Sequence, residues 1–175
     1  AAFPRQTKAK EALKLGAEKA LQNNGGTALI TWKTASGFTA FQNYCKVEAH
    51  RVNCKFAKRN VQLSYQMFVD KPMKSEHTKG ISANFVHSQD ASLLTLTIAN
   101  LADEGVESFM MIHDQFSVNA ELTPLLLEVF KETFIEIFEV DQLGDTLKSF
   151  GLNSNPVEYG DLDIYDVTDA KYIIS

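Results

Sequence analysis

The sequence predicts an α+β fold of antiparallel hairpins and helices, and three observations carry that prediction. Two hairpin patterns follow one another between residues 27 and 69. TALITWK and FTAFQNY flank Ala35-Ser36-Gly37, and HRVNCKF and VQLSYQMF flank Ala57-Lys58-Arg59-Asn60, each with the period-2 alternation of a pleated strand. Apolar residues recur at helical spacing before residue 22 and again after residue 87. Between the two later helices, FMMIHDQFSV at 109–118 reads as strand, turn and strand, a hairpin backed by helices.

The first helix runs from Thr7 to Leu21, where Ala9, Ala12, Leu13, Ala17, Ala20 and Leu21 share a face, and NNGG at 23–26 ends it with residues that tolerate positive φ. The two hairpins follow. DKPMKSEHTKG at 70–80 is polar and charged and reads as a loop. Ser88 can cap a helix over 88–104, with Asp90 in its first turn, the stripe Ala91, Leu94, Ile98 and Leu101, and Gly105 at its end. The strand pair at 109–118 has the composition of buried strands. A carboxylate there costs several kcal/mol unless a cation or hydrogen bonds compensate it, so Asp114 needs a partner. The last long helix spans 124–139, with Thr123 as cap, Pro124 in the first turn, and Leu122, Leu125, Leu126, Val129, Phe130, Phe134, Ile137 and Phe138 on one face. From Gly151 the tail mixes turn signals with Asp161, Asp163, Asp166 and Asp169 and closes on YIIS.

A chain of 175 residues, 45% apolar, can bury one sizeable core in one or two tightly joined lobes. No stretch approaches the roughly 20 apolar residues of a membrane span, and AAFPRQTKAK has no apolar signal-peptide core, so a soluble protein with no membrane partner is expected. Cys45 and Cys54 lack a CxxC or a His at zinc-finger spacing, which argues against a disulfide framework or structural zinc and for a reducing compartment.

The net charge of −5 conceals a division. Residues 1–80 hold 14 Lys and Arg against 5 Asp and Glu, a balance of +9, whereas residues 81–175 hold 3 against 17, a balance of −14. Basic residues of the first half (Arg51, Lys55, Lys58, Arg59) are interleaved with Trp32, Phe38, Phe41, Tyr44, Phe56 and Tyr65, the pattern of a strand surface that follows a phosphate backbone; the plainer alternative is a solvated basic face. A bare His-Asp dipeptide has its own plain alternative, a turn in which Asp114 bonds its own backbone. His50 and His77 have no partners at ligand spacing and read as surface residues. The acidic tail lacks the glycine and terminal glutamate of a calcium loop and reads as a solvated face. No Ser-His-Asp arrangement can be built, since Ser88 adjoins His87 and the elbow glycines are missing.

ANFVHSQDAS at 83–92, followed by ESFMMIHDQFSV at 107–118, closely resembles the last conserved blocks of the single-subunit, bacteriophage-type DNA-directed RNA polymerases, the family that includes the mitochondrial enzymes. ITWKTASGFTAFQNY at 30–44 is similar to that family's W-x-T-x-x-G-F/V hairpin, and YIIS resembles its terminal foot. The resemblance covers roughly residues 8–175 and is clearest between 30 and 118. It implies the C-terminal part of a right-hand polymerase: residues 1–86 as the end of the fingers region, including a specificity-type hairpin at 45–69, and residues 87–175 as the C-terminal half of the palm with its foot.

The resemblance assigns the metal-binding aspartate to Asp114, beside His113, with Mg²⁺ as cofactor. It carries the family's His-Ser-x-Asp onto His87, Ser88 and Asp90, with His87 against the minor groove of the template-product duplex, and the promoter readers onto Arg51 and Asn53. Gln115 and Phe116 match loosely and carry no role. Implied partners are a DNA template and promoter, the RNA product and NTP, in the cytoplasm of a phage-infected host or in mitochondria. No block in this chain matches the family's other catalytic aspartate, its nucleotide-binding Arg and Lys, or its sugar-selecting Tyr. The expectation is therefore half a catalytic site, completed by an upstream segment or a second polypeptide. Two alternatives stay open: a non-catalytic nucleic-acid-binding subunit of the same fold, and a family A DNA polymerase fragment, whose His-Asp motif usually continues with Glu rather than Gln115.

Overall fold

The computed structural model describes residues 3–112, 115–153, 155–170 and 173. Helix α1 spans Pro4–Asn23, and two hairpins follow: β1 (Leu29–Lys33) with β2 (Thr39–Asn43), then β3 (Cys45–Phe56) with β4 (Arg59–Pro72). Helix α2 (Lys74–Asp103) leads to β5 (Met110–Ile112) and β6 (Gln115–Ser117). A 3₁₀ turn at Ala120–Leu122, α3 (Thr123–Phe138), α4 (Gln142–Ser149) and a second 3₁₀ turn at Ile164–Val167 complete the chain. The fold is mixed α/β, and each described sheet is an antiparallel pair: β1-β2, β3-β4 and β5-β6.

Helix α2 organises the molecule. Its 30 residues span about 45 Å at 1.5 Å per residue, enough to join two separate apolar clusters. In the first, Ala12, Leu13, Ala17, Ala20 and Leu21 of α1 meet Ile30, Trp32, Ile81, Phe85, Leu147 and Phe150. Gly16 permits this close packing, because a Cβ there would lie 2.9 Å from Phe150 Cδ2. The second cluster, Leu101, Val106, Leu126 and Val129, joins the C-terminal half of α2 to α3, and Phe109, Val118, Leu122 and Leu125 pack against it. Polar residues on the buried face of α2 bond locally: Ser92 Oγ donates to Ser88 O at 2.9 Å and Thr97 Oγ1 to Leu93 O at 2.7 Å. Asn100 Nδ2 donates to Thr133 Oγ1 at 2.9 Å, which ties α2 to α3.

Several expectations are corrected. Residues 74–80 are not a loop but the first turns of α2, so Ser88 lies inside that helix and caps nothing; its Oγ donates to Phe85 O at 2.7 Å. The buried residues of the later part of α2 are Gln89, Ser92, Thr97 and Leu101, while Ala91 is exposed, because its packed side follows the two clusters rather than the most apolar positions. The connection of β3 to β4 is Ala57-Lys58 alone, both with positive φ (48° and 62°), and Arg59 and Asn60 belong to β4. Such a turn normally carries Asn-Gly, and its absence hid the two-residue geometry. Thr123 begins α3 and makes no side-chain cap. The stripe on α3 is displaced: Thr133 and Ile135 are buried, and Phe138 is exposed, its ring tilted 47° against that of Phe134 at 4.6 Å. Helix α4 has no counterpart in the sequence reading.

Strand β5 is not buried as expected, since Met110, Met111 and Ile112 are 51–62% exposed. The hairpin β3-β4 also packs neither face, although one face was expected to pack. At about 3.4 Å per residue its 12-residue strand β3 extends roughly 40 Å, and Val52, Leu63, Tyr65 and Met67 remain 47–56% exposed.

Candidate functional site

The register of β3-β4 sorts this hairpin into two chemically distinct faces, because directly paired residues share a side. Arg51 opposes Ser64, Asn53 opposes Gln62, Ala49 opposes Gln66 and Lys55 opposes Asn60, which gives one face rich in amides and hydroxyls. Val52 opposes Leu63, Cys54 opposes Val61 and His50 opposes Tyr65 on the other, largely apolar face. Arg51 and Asn53 are exposed. Gln62 Nε2 donates to Asn53 Oδ1 at 3.2 Å, which fixes the Asn53 amide with its own N–H groups directed away from that bond. His50 is exposed as expected, stacked on Tyr65 at 5.5 Å.

Residues 87–90 diverge around α2, about 100° per residue. His87 is exposed and lines a groove between α1 and α2. Ser88 turns toward the first hairpin, where its Oγ accepts from Trp32 Nε1 at 3.0 Å. That bond anchors β1 on α2, and the Ser88 hydroxyl is committed to the fold. Gln89, between them, is buried with neither amide atom bonded among the described residues. Asp90 is exposed.

His113 and Asp114 lie outside the described residues. On either side of them the strands pair antiparallel, Ile112 with Gln115 and Met110 with Ser117. Among the described residues no group of three or more His, Cys, Asp or Glu is arranged to hold a metal ion. Among the described residues no helix is long and apolar enough to cross a membrane.

Two polar centres escaped the sequence reading. His77 is a core residue, 0% exposed, not the surface histidine expected. Gln42 Nε2 lies 2.8 Å from His77 Nδ1 and donates to His77 O at 3.1 Å, and Asn84 Nδ2 donates to Gln42 Oε1 at 2.8 Å. This network joins the end of β2 to α2, and no spacing rule signals a pairing across 35 residues. Burial lowers the His77 pKa below 6.5, against backbone groups of Tyr44 and Ala28 that favour the charged ring. A folded-state pKa below the unfolded one gives stability that is complete above pH 6.5 and declines as pH falls through the window beneath it. Thermal melting between pH 7.5 and 5 should show wild type losing up to about 1.4 kcal/mol per pH unit more than His77→Gln. Parallel pH curves would show that the ring takes up its proton as readily in the folded as in the unfolded chain, which would overturn the lowered pKa.

The second centre is Asp141, which caps α4 by accepting from Gly144 N–H at 2.6 Å and also accepts from the Tyr159 hydroxyl and from Asn155 at 3.4 Å. Its partial burial alone would raise its pKa, but Tyr159, the Gly144 amide, Asn155 and Lys148 together hold it below the usual value. Gly144 is required by this cap, since a Cβ there would sit 2.0 Å from Asp141 Oδ2. The signal was present in sequence as Asp141 ahead of Leu143, Leu147 and Phe150.

Comparison with known proteins gives a consistent set of relatives. Residues 5–158 match the family model described as DNA-dependent RNA polymerase. The chain is 30% identical over 156 residues to the DNA-directed RNA polymerase of Enterobacteria phage K11, covering 82% of this chain and 17% of that protein. It is 29% identical over 184 residues to T7 RNA polymerase of Escherichia phage T7, covering 93% of this chain and 20% of that protein. A Nicotiana tabacum protein, DNA-directed RNA polymerase 1A, is 28% identical over 153 residues, covering 83% of this chain and 95% of the tobacco sequence. The chain thus spans about a fifth of the length of the phage relatives, 17% and 20%.

Proposed function

The chain belongs to the DNA-dependent RNA polymerase family, and we propose that it forms the C-terminal part of a DNA-directed RNA polymerase that transfers NMP from NTP to the 3′ end of RNA. Residues 1–86 correspond in this reading to the end of the fingers region and residues 87–175 to the second half of the palm with its foot. Positions 86 and 87 both lie inside α2, so a rigid helix would link the two regions. The observation that carries the reading is the His113-Asp114 pair between two short strands that run antiparallel, followed by α3 and preceded by α2. Exposed Met110, Met111 and Ile112 support a hairpin that completes its packing against polypeptide outside this chain.

Asp114 offers a hard carboxylate oxygen of the kind Mg²⁺ takes, and so fits as one ligand. In this reading the second carboxylate and the NTP-binding cations belong to an upstream segment or a partner polypeptide. Bound there, Mg²⁺ would supply charge stabilisation for phosphoryl transfer. The role of this chain is then to hold one carboxylate and, through His87 and the β3-β4 hairpin, to seat the template-product duplex and promoter DNA.

The test is biochemical. The 175-residue chain alone should bind DNA weakly, with affinity falling steeply as salt rises, and should synthesise no RNA. Supplied with the remaining polymerase polypeptide, it should support NTP-dependent RNA synthesis. Synthesis by the chain alone would overturn the half-site reading, and DNA binding with no synthesis in the completed assembly would identify a non-catalytic subunit.

A further inference from the structure

Resting on that reading, we infer that the groove between α1 and α2 seats the phosphodiester backbone of a nucleic-acid strand, held by Lys10, Lys14 and Lys79 beside His87. The groove has a volume of about 520 Å³, and these four side chains line it together with apolar residues such as Leu13 and Val86, with no Asp or Glu among its walls. Two helices supply these side chains independently: Lys10 and Lys14 from α1, Lys79 and His87 from α2. Lys10 and Lys14 stand one turn apart, about 6 Å along the axis. That is the scale of one to two nucleotide steps at roughly 3.4 Å per nucleotide of a strand. Lys79 meets Glu76 at 3.1 Å, an exposed contact that a phosphate can displace.

A second observation points to the same occupant. Ser82 also lines the groove, and its Oγ is buried with no hydrogen-bond partner among the described residues. An unpaired hydroxyl in the wall of a groove that three lysines also line can rotate to donate to a phosphate oxygen. Phe85, 9% exposed, forms part of the floor, where a sugar face can rest. The groove is separate from the amide-rich face of β3-β4 and lies on the side of α2 that His87 occupies, so one strand can run past both His87 and the lysines.

The experiment uses the 175-residue chain and three labelled probes of about 12 nucleotides: single-stranded DNA, the matching RNA, and an RNA–DNA hybrid. Affinity is measured between roughly 50 and 200 mM salt, where each phosphate contact contributes about 0.7 to the log–log slope for a single strand and 0.9 for a duplex. Lys10→Gln, Lys14→Gln and Lys79→Gln combined should lower the slope by about 2 for a single strand and nearly 3 for the hybrid. The charge-matched set Arg5→Gln, Lys8→Gln and Lys19→Gln, on α1 but outside the groove walls, should change it by less than 1. Ser82→Ala should weaken binding several-fold at fixed salt with no change in slope. The probe with the largest slope change identifies the strand type. An unchanged slope in the groove variant, or equal losses in both triple variants, overturns the inference. Absence of salt-dependent binding by wild type would instead sink the polymerase reading itself. Circular dichroism and melting of each variant verify that the helices persist.

Discussion

Asp114→Asn should abolish nucleotide addition by the complete polymerase while leaving its fold and DNA binding nearly intact. The substitution preserves shape and one acceptor oxygen and removes one negative charge, so what Asp114 does through size or through that oxygen survives and what it does through charge is lost. If the carboxylate is a metal ligand, the loss is several kcal/mol of charge stabilisation, or roughly three orders of magnitude in rate at about 1.4 kcal/mol per tenfold. The structural role predicts the reverse. An aspartate that only closes a turn is replaced well by asparagine, which favours the same turn geometries. Single-turnover extension of an RNA primer, measured beside DNA affinity and melting temperature, separates the two. Turnover near that of wild type would make Asp114 a turn residue; loss of DNA binding together with turnover would point to misfolding and return Asp114 to its structural role.

What could be read from sequence divides along a physical line. The elements held by their own periodicity were legible: α1, whose apolar face recurs every three to four residues, the two hairpins, and α3. Those held by contacts between distant residues were not. The segment 70–80 is polar enough to look like a loop, yet 70–72 end β4, where Asp70 Oδ1 accepts from Ala28 N–H at 2.9 Å, and 74–80 are helix, where His77 finds Gln42 in the core. Ser88 and Asp90 imitate the start of a helix, but the helix was already under way and Ser88 is engaged by Trp32. The apolar strand 110–112 suggested burial, but its side chains are 51–62% exposed. Of the candidate residues, Arg51, Asn53, His87 and Asp90 are exposed, and the Ser88 hydroxyl is bonded to Trp32.

Replacing Arg51 or Asn53 by alanine should relax promoter selectivity without weakening transcription from a pre-melted template. A two-stranded ribbon fits the major groove, and β3-β4 presents its amide-rich face as a continuous strip: Arg51 and Asn53 on one strand, Gln62 and Ser64 opposite. Arg51 can donate two hydrogen bonds to the O6 and N7 of a guanine. Asn53, held by Gln62 at 3.2 Å, can accept from and donate to an adenine. Each such pair discriminates against the wrong base by about 1–3 kcal/mol, so each alanine variant should lose selectivity at one or two promoter positions and nowhere else. A hairpin that only touches phosphates behaves differently: Arg51→Ala would then weaken every DNA evenly and lower the salt slope by about 1. Gln62→Ala adds a further discriminant, since loss of its bond to Asn53 should blur the position read by Asn53 and leave that read by Arg51 intact. Initiation rates on a panel of single-base promoter variants, set against a pre-melted template, distinguish the two. Uniform loss across the panel would sink base readout and leave the hairpin as a basic clamp.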